Sequence, residues 1–162
     1  MAGLVAKLER VVALLLAVIA TLVVYQVVGR YVLERPPSWT EELARYLQVW
    51  LVLLASPICV WKSLHLAVDY LTPRLPHVAQ RQVRSLIHLL VGLFGLLLAV
   101  FGARLLPVAA IQVSPALGIS MVWPYLAVPT SGVLIALVAG TLLFEEQRGQ
   151  RHRQLAEETP ER

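Results

Sequence analysis

The sequence predicts an all-α membrane protein with four transmembrane helices and both termini in the cytoplasm. Three observations predict it. Of 162 residues, 58% are hydrophobic and only 15% charged, against roughly 45–50% and about 25% in a soluble domain. The charges are clustered: none falls from Val11 to Gly29, from Tyr46 to Trp61, from Ser85 to Ala103 or from Leu105 to Phe144. A bilayer core about 30 Å thick needs roughly 20 helical residues, which is the scale of those gaps. A chain of this length holds four spans as one membrane domain, 1–162, with no room for a soluble catalytic domain, a nucleotide-binding domain or a large periplasmic module.

The third observation is where the basic residues fall. A net charge of +4 invites a nucleic-acid reading, but nucleic-acid binders carry Lys and Arg on a solvated patch, and here they flank apolar runs. With the N-terminus inside, Lys7, Arg10, Lys62, Arg74, Arg81, Arg84, Arg148, Arg151, Arg153 and Arg162 are cytoplasmic, while Arg30, Arg35, Arg45 and Arg104 are outside. The excess of basic residues inside sets that orientation. Cys59 is the only cysteine, so no intrachain disulfide forms and the redox compartment is not readable.

Span one covers Val11 to Leu33, too long for the h-region of a signal peptide, and no A-x-A site follows. Tyr25, Arg30 and Tyr31 near its far end suit the headgroup layer. Pro36-Pro37 stops it, and Ser38 or Thr40 is expected to cap span two, about 40–61, with Glu41 and Glu42 in its first turn. Pro57 is expected to kink that helix. A polar cytoplasmic connection, 62–84, follows, broken by Pro73 and Pro76; His65 and Asp69 are four apart there and fit a short surface helix. Span three, about 85–106, contains His88 and three glycines, Gly92, Gly95 and Gly102, that allow close helix packing. Pro107 to Ser120 is uncharged but holds Gln112, Ser114, Pro115 and Gly118, which predicts a loop or re-entrant turn. Span four is about 121–144, and the charged tail 145–162 lacks apolar periodicity.

The interior of the spans carries little chemistry. All ten carboxylates lie outside the long apolar runs, whereas a protein that moves ions by itself keeps an ionisable group inside the membrane. No internal repeat of the kind that builds self-contained transporters is evident. No HExxH, CxxC or phosphate-cradling glycine loop is present. Histidine 88 reads as an interfacial or hydrogen-bonded residue; a haem ligand would need a second buried histidine on a neighbouring helix. That alternative makes the chain a membrane anchor of a redox enzyme, and a small homo-oligomeric exporter is a further one.

The densest polar constellation runs from Arg30 to Tyr46. Glu41 or Glu42 can pair with Arg45 at helical spacing, and Trp39, Tyr46 and Trp50 fall near one another on the helix. Two readings stay open. One is an ordinary interfacial belt of aromatic anchors and neutralised charges. The other is a docking surface for another membrane subunit, because paired acids and arginines at the bilayer are better satisfied by protein than by lipid.

These residues carry a family resemblance. The order Gly29-Arg30-Tyr31-Val32-Leu33, then Trp39-Thr40-Glu41-Glu42-Leu43-Ala44-Arg45-Tyr46 with Trp50 behind it, then Lys62 and His65 to Leu71, resembles the small, DctQ-like membrane subunit of tripartite ATP-independent periplasmic (TRAP) transporters. Gln112 to Met121, followed by Tyr125 and Pro129, is similar to the family's approach to its last helix. Glu34, Lys62 and Ser120 stand where the family often has Asn, Arg and Pro, and a Gly between the Lys62 and His65 positions is missing; these departures touch loops and helix ends.

The resemblance implies a three-part, sodium-coupled uptake system. In it a periplasmic solute-binding protein delivers a carboxylate-type solute to a large elevator-type membrane subunit. The small subunit, non-catalytic and without a cofactor, supports that subunit's scaffold in the inner membrane, and sodium ions belong to the large subunit. Under this resemblance Arg30, Tyr31, Trp39, Glu41, Glu42, Arg45, Tyr46 and Trp50 are subunit-interface or interfacial anchors. Lys62, His65 and Asp69 fix the cytoplasmic connection.

Overall fold

Apolar runs rich in Leu, Val and Ala become long helices. The computed structural model describes the backbone of residues 1–32, 38–71 and 77–157, and the side chains of 1, 3–32, 38–62 and 82–145. The elements are α1 (Ala2–Tyr31), α2 (Ser38–Leu71), α3 (His77–Ala110), α4 (Val122–Tyr125) and α5 (Ala127–Glu157). There is no strand among the described residues, only an isolated antiparallel bridge between Val113 and Ser120. Among the described residues, four stretches are long and apolar enough to cross a membrane: Gly3–Tyr31, Ser38–Lys62, Gln82–Ala110 and Val122–Glu145.

The helices run past the boundaries that charge clustering predicts. Ser38 and Thr40 both lie inside α2, so neither is the cap that the sequence suggests, and Thr40 is fully buried. The polar connection is largely helical backbone: α2 continues to Leu71, without a separate surface helix, and α3 starts at His77. The charged tail continues α5 to Glu157. The physical reason is that nucleating a helix is costly and extending one is cheap, and Glu, Gln, Arg and Lys are good helix formers. The side chains of His65 and Asp69, and all of Glu34 to Pro37, Pro73 and Pro76, lie outside the described residues.

The helices stand in a row, α1–α2–α5–α3. α1 and α2 are antiparallel: the rings of Tyr25 and Trp39 sit 6.4 Å apart at one end of the pair, and Lys62 Nζ lies 2.7 Å from Glu9 Oε1 at the other. α2 and α5 run parallel, and α5 and α3 antiparallel. The α3–α5 seam is the tightest. A Cβ on Gly132 would sit 2.4 Å from the Ala99 nitrogen, and one on Gly95 would sit 2.8 Å from the Ala136 nitrogen. Backbone therefore touches backbone, as lipid-embedded helices require when dispersion rather than water expulsion drives association. Gly92 and Gly102 face the same helix, so the glycines of span three line its packing seam.

The core lies on α5, where Ala127, Ser131, Ile135, Val138, Ala139 and Leu142 form a buried helical stripe. α1, at the edge of the row, leaves most of its length exposed.

Candidate functional site

One face of α2 stitches the row together. Helical spacing places Glu42, Tyr46, Trp50, Leu53 and Pro57 along one stripe, and four of these five meet the segment from residue 114 to 131. At the base of the stripe, Pro57 has no amide hydrogen, so the carbonyl four residues earlier, that of Leu53, loses its helical donor. Ser131 of α5 supplies the replacement: its Oγ donates to the Leu53 carbonyl at 2.7 Å. Pro57 and Ser131 are both fully buried. One turn up, Trp50 Nε1 donates to the Trp123 carbonyl at 3.1 Å.

At the top of the stripe sits a hairpin. Ser114 N–H donates to the Ile119 carbonyl at 2.9 Å and Met121 N–H to the Gln112 carbonyl at 3.0 Å. Gly118, at φ 65°, takes the left-handed conformation that closes the turn. The Ser114 hydroxyl accepts from Leu117 N–H at 3.1 Å. The Ala116 N–H points away from the hairpin and donates to Glu42 Oε2 at 2.9 Å. The other Glu42 oxygen accepts from the Tyr46 hydroxyl, and that hydroxyl also lies 3.2 Å from Met121 Sδ. Glu42 and Tyr46 thus clamp the hairpin to the first turns of α2. Beside the clamp is an open cavity of about 480 Å³, whose lining includes Glu42, Arg45, Tyr46, Val49, Tyr125 and Val128.

The residues grouped by sequence divide into two sets. Glu42, Tyr46 and Trp50 are spent inside the chain. Arg30, Tyr31, Trp39, Glu41 and Arg45 are exposed; Glu41 and Arg45 pair at 3.3 Å along the outside of α2. Of the two carboxylates within helical reach of Arg45, Glu41 therefore takes it. Lys62 reaches back to Glu9, a partner that sequence spacing did not suggest. Ser131 carries no signal of its own in the sequence, although the Leu53 carbonyl orphaned by Pro57 is a readable demand for a donor.

Among the described residues no three His, Cys, Asp or Glu side chains gather as a metal site. His88 is 5% exposed on α3 and engaged within the chain; the side chains of His65, His77 and His152 lie outside the described residues.

Residues 8–149 match the family of tripartite ATP-independent periplasmic transporters, DctQ component. The chain belongs to this DctQ family. It is 30% identical over 123 residues to the sialic acid TRAP transporter small permease protein SiaQ of Vibrio cholerae, covering 75% of this chain and 70% of that one. It is also 30% identical over 114 residues to the sialic acid TRAP transporter permease protein SiaT of Haemophilus influenzae. Against the isethionate TRAP transporter permease protein DctMQ of Oleidesulfovibrio alaskensis it is 32% identical over 119 residues. These last two matches cover 70% of this chain but only 18% of each permease. The DctQ chain is thus a multi-pass membrane protein of the TRAP small-permease type, similar to a segment of those longer permeases.

Proposed function

We propose that this DctQ chain is a fixed, non-catalytic wall for the large, elevator-type membrane subunit of a TRAP transporter. The transporter takes up a carboxylate-type solute with sodium, after delivery by a periplasmic binding protein. It works in the cytoplasmic membrane of a bacterium or archaeon, with both termini of this chain and the 62–84 connection on the cytoplasmic side.

The observation that carries this reading is an open row of helices whose membrane interior has no carboxylate. The runs 11–29, 46–61, 85–103 and 105–144 are free of Asp, Glu, Lys and Arg, so no coupling-ion site of the usual kind is available within them. Ser131, Trp50 and Glu42 use their polar groups to join separate parts of the chain. The two long permeases, SiaT and DctMQ, support the reading because the stretch like this chain makes up only 18% of each. Arg30, Tyr31, Trp39, Glu41 and Arg45 face outward and are the members of the polar constellation open to a partner. Glu42, Tyr46 and Trp50 serve that surface indirectly, by holding the hairpin and helix ends beneath it. Lys62, through Glu9, fixes the cytoplasmic end of α2 against α1, with His65 and Asp69 in the connection beyond.

Reconstitution into liposomes tests the proposal, using sialic acid, which bears a carboxylate, as the first solute. With an inward sodium gradient, the chain alone is expected to give no uptake. Uptake is expected when the large subunit and binding protein are added. Sodium-driven uptake by this chain alone would overturn the proposal.

A further inference from the structure

We propose that the outer face of α3 docks on the large membrane subunit, and that Arg104 pairs there with a carboxylate of that subunit. The partner rests on the function proposed above; the place and the chemistry rest on this chain alone. α3 stands at one end of the row and packs on α5 through Gly92, Gly95, Ala99 and Gly102. At 3.6 residues per turn, Leu90, Phe94, Leu97, Phe101, Arg104 and Val108 fall on the opposite side, and all six are exposed. Within this apolar stripe Arg104 is the only Asp, Glu, Lys or Arg between Ser85 and Phe144. The other edge of the row, α1, carries no such charge from Val11 to Gly29 and offers apolar contact alone.

Depth and direction argue for protein over lipid phosphate. The span Gln82–Ala110 has 29 residues, about 43 Å of helix across a hydrocarbon core of about 30 Å. Centred, it projects about 7 Å at each end, whereas Arg104 stands about 9 Å before Ala110. The run Leu105 to Ile111 that follows it carries no polar side chain. Helical side chains lean toward the N-terminus of their helix, which for Arg104 is away from the nearer membrane surface. The guanidinium does lean that way: its central carbon lies 5.6 Å from the ring centre of Phe101, almost one turn deeper. An arginine that snorkels to a headgroup reaches in the opposite direction. Among the described residues Arg104 has no carboxylate partner, and a contact with one aromatic face leaves its N–H donors unsatisfied. A charge held so within a membrane is costly unless paired. A carboxylate answers both the charge and the forked geometry of the guanidinium.

The test co-expresses the full chain with its large subunit and purifies the complex through a tag on this chain. Arg104→Leu is expected to cut the large subunit retained per chain about tenfold, the scale of one lost charge-assisted pair. The melting temperature of the isolated variant is expected to be unchanged or raised, because the guanidinium has no partner within the chain. Arg104→Lys keeps the charge and is expected to keep most of the retention. A photoreactive benzoylphenylalanine placed at Leu97, on the same stripe, is expected to cross-link to the large subunit in intact membranes, and one placed at Leu14 of α1 is not. Full retention by Arg104→Leu would overturn the proposal. So would a Leu97 adduct with phospholipid or with a second copy of this chain in place of the large subunit. If the wild-type chain retains the large subunit and cross-links to it from Leu14 only, this inference alone falls. If the wild-type chain retains no large subunit, the proposed function falls with it.

Discussion

Ser131 answers a deficit that Pro57 creates. A proline inside α2 strips the Leu53 carbonyl of its donor, and an unsatisfied carbonyl at membrane depth is costly. The serine hydroxyl, arriving from α5 at 2.7 Å, repairs the deficit and pins the two helices in register. Ser131→Ala is expected to lower stability by about 0.6–2 kcal/mol, the range from interhelical hydrogen bonds in membranes to a buried group left unpaired. In a Pro57→Ala background the helix regains its own donor, and Ser131→Ala is expected to be nearly neutral. Thermal unfolding of the four proteins in detergent forms a double-mutant cycle; equal losses in both backgrounds would separate Ser131 from Pro57. Pro57 was legible in the sequence as a disruption. Its remedy was not, because 74 positions separate the two residues and nothing local in the sequence joins them. Glu42 shows the same limit: its i+4 partner Tyr46 is local, but Ala116 is brought to it by the hairpin.

At the scale of elements, the α3–α5 seam depends on the absence of side chains. Gly132→Ala would place a methyl carbon 2.4 Å from the Ala99 nitrogen, so the helices must separate. Overpacking of this kind costs about 1–3 kcal/mol, and a drop of several degrees in melting temperature is expected in detergent. Gly140→Ala is the control, since a Cβ there has no neighbour within 4 Å; an equal loss in both variants would assign the effect to helix backbone rather than to the seam. The glycines of span three announced such a seam by composition, but Gly132 as their counterpart required knowing that α5 lies antiparallel to α3. A loop within 107–120 was also legible, from Gln112, Ser114, Pro115 and Gly118, and it folds as the hairpin that Glu42 holds, but it starts only after Ala110, because α3 runs on through Pro107. The polar stretches beyond the spans misled, because charge clustering reports where the membrane ends and not where a helix does.

For the whole molecule, the row α1–α2–α5–α3 leaves apolar faces that only lipid or another subunit can cover, which suits a wall better than a carrier. Its sidedness can be measured with impermeant maleimide on intact cells in a Cys59→Ala background. Ile111→Cys, at a position 83% exposed beside the hairpin, is expected to label from outside. Glu145→Cys, at the far end of the Val122–Glu145 span, is expected to label only after the cells are opened, and the reverse pattern would invert the proposed orientation. By itself the sequence determined the membrane class, the four helices and the family, because hydropathy, helix length and ordered motifs are local properties that need no knowledge of neighbours. Only the tertiary structure decided which helices touch and which polar residues are spent inside the chain. Hydrogen bonds from Ser131 to α2 and from the hairpin to Glu42 join distant positions, and in lipid such close-range contacts, more than burial, choose a helix's partners.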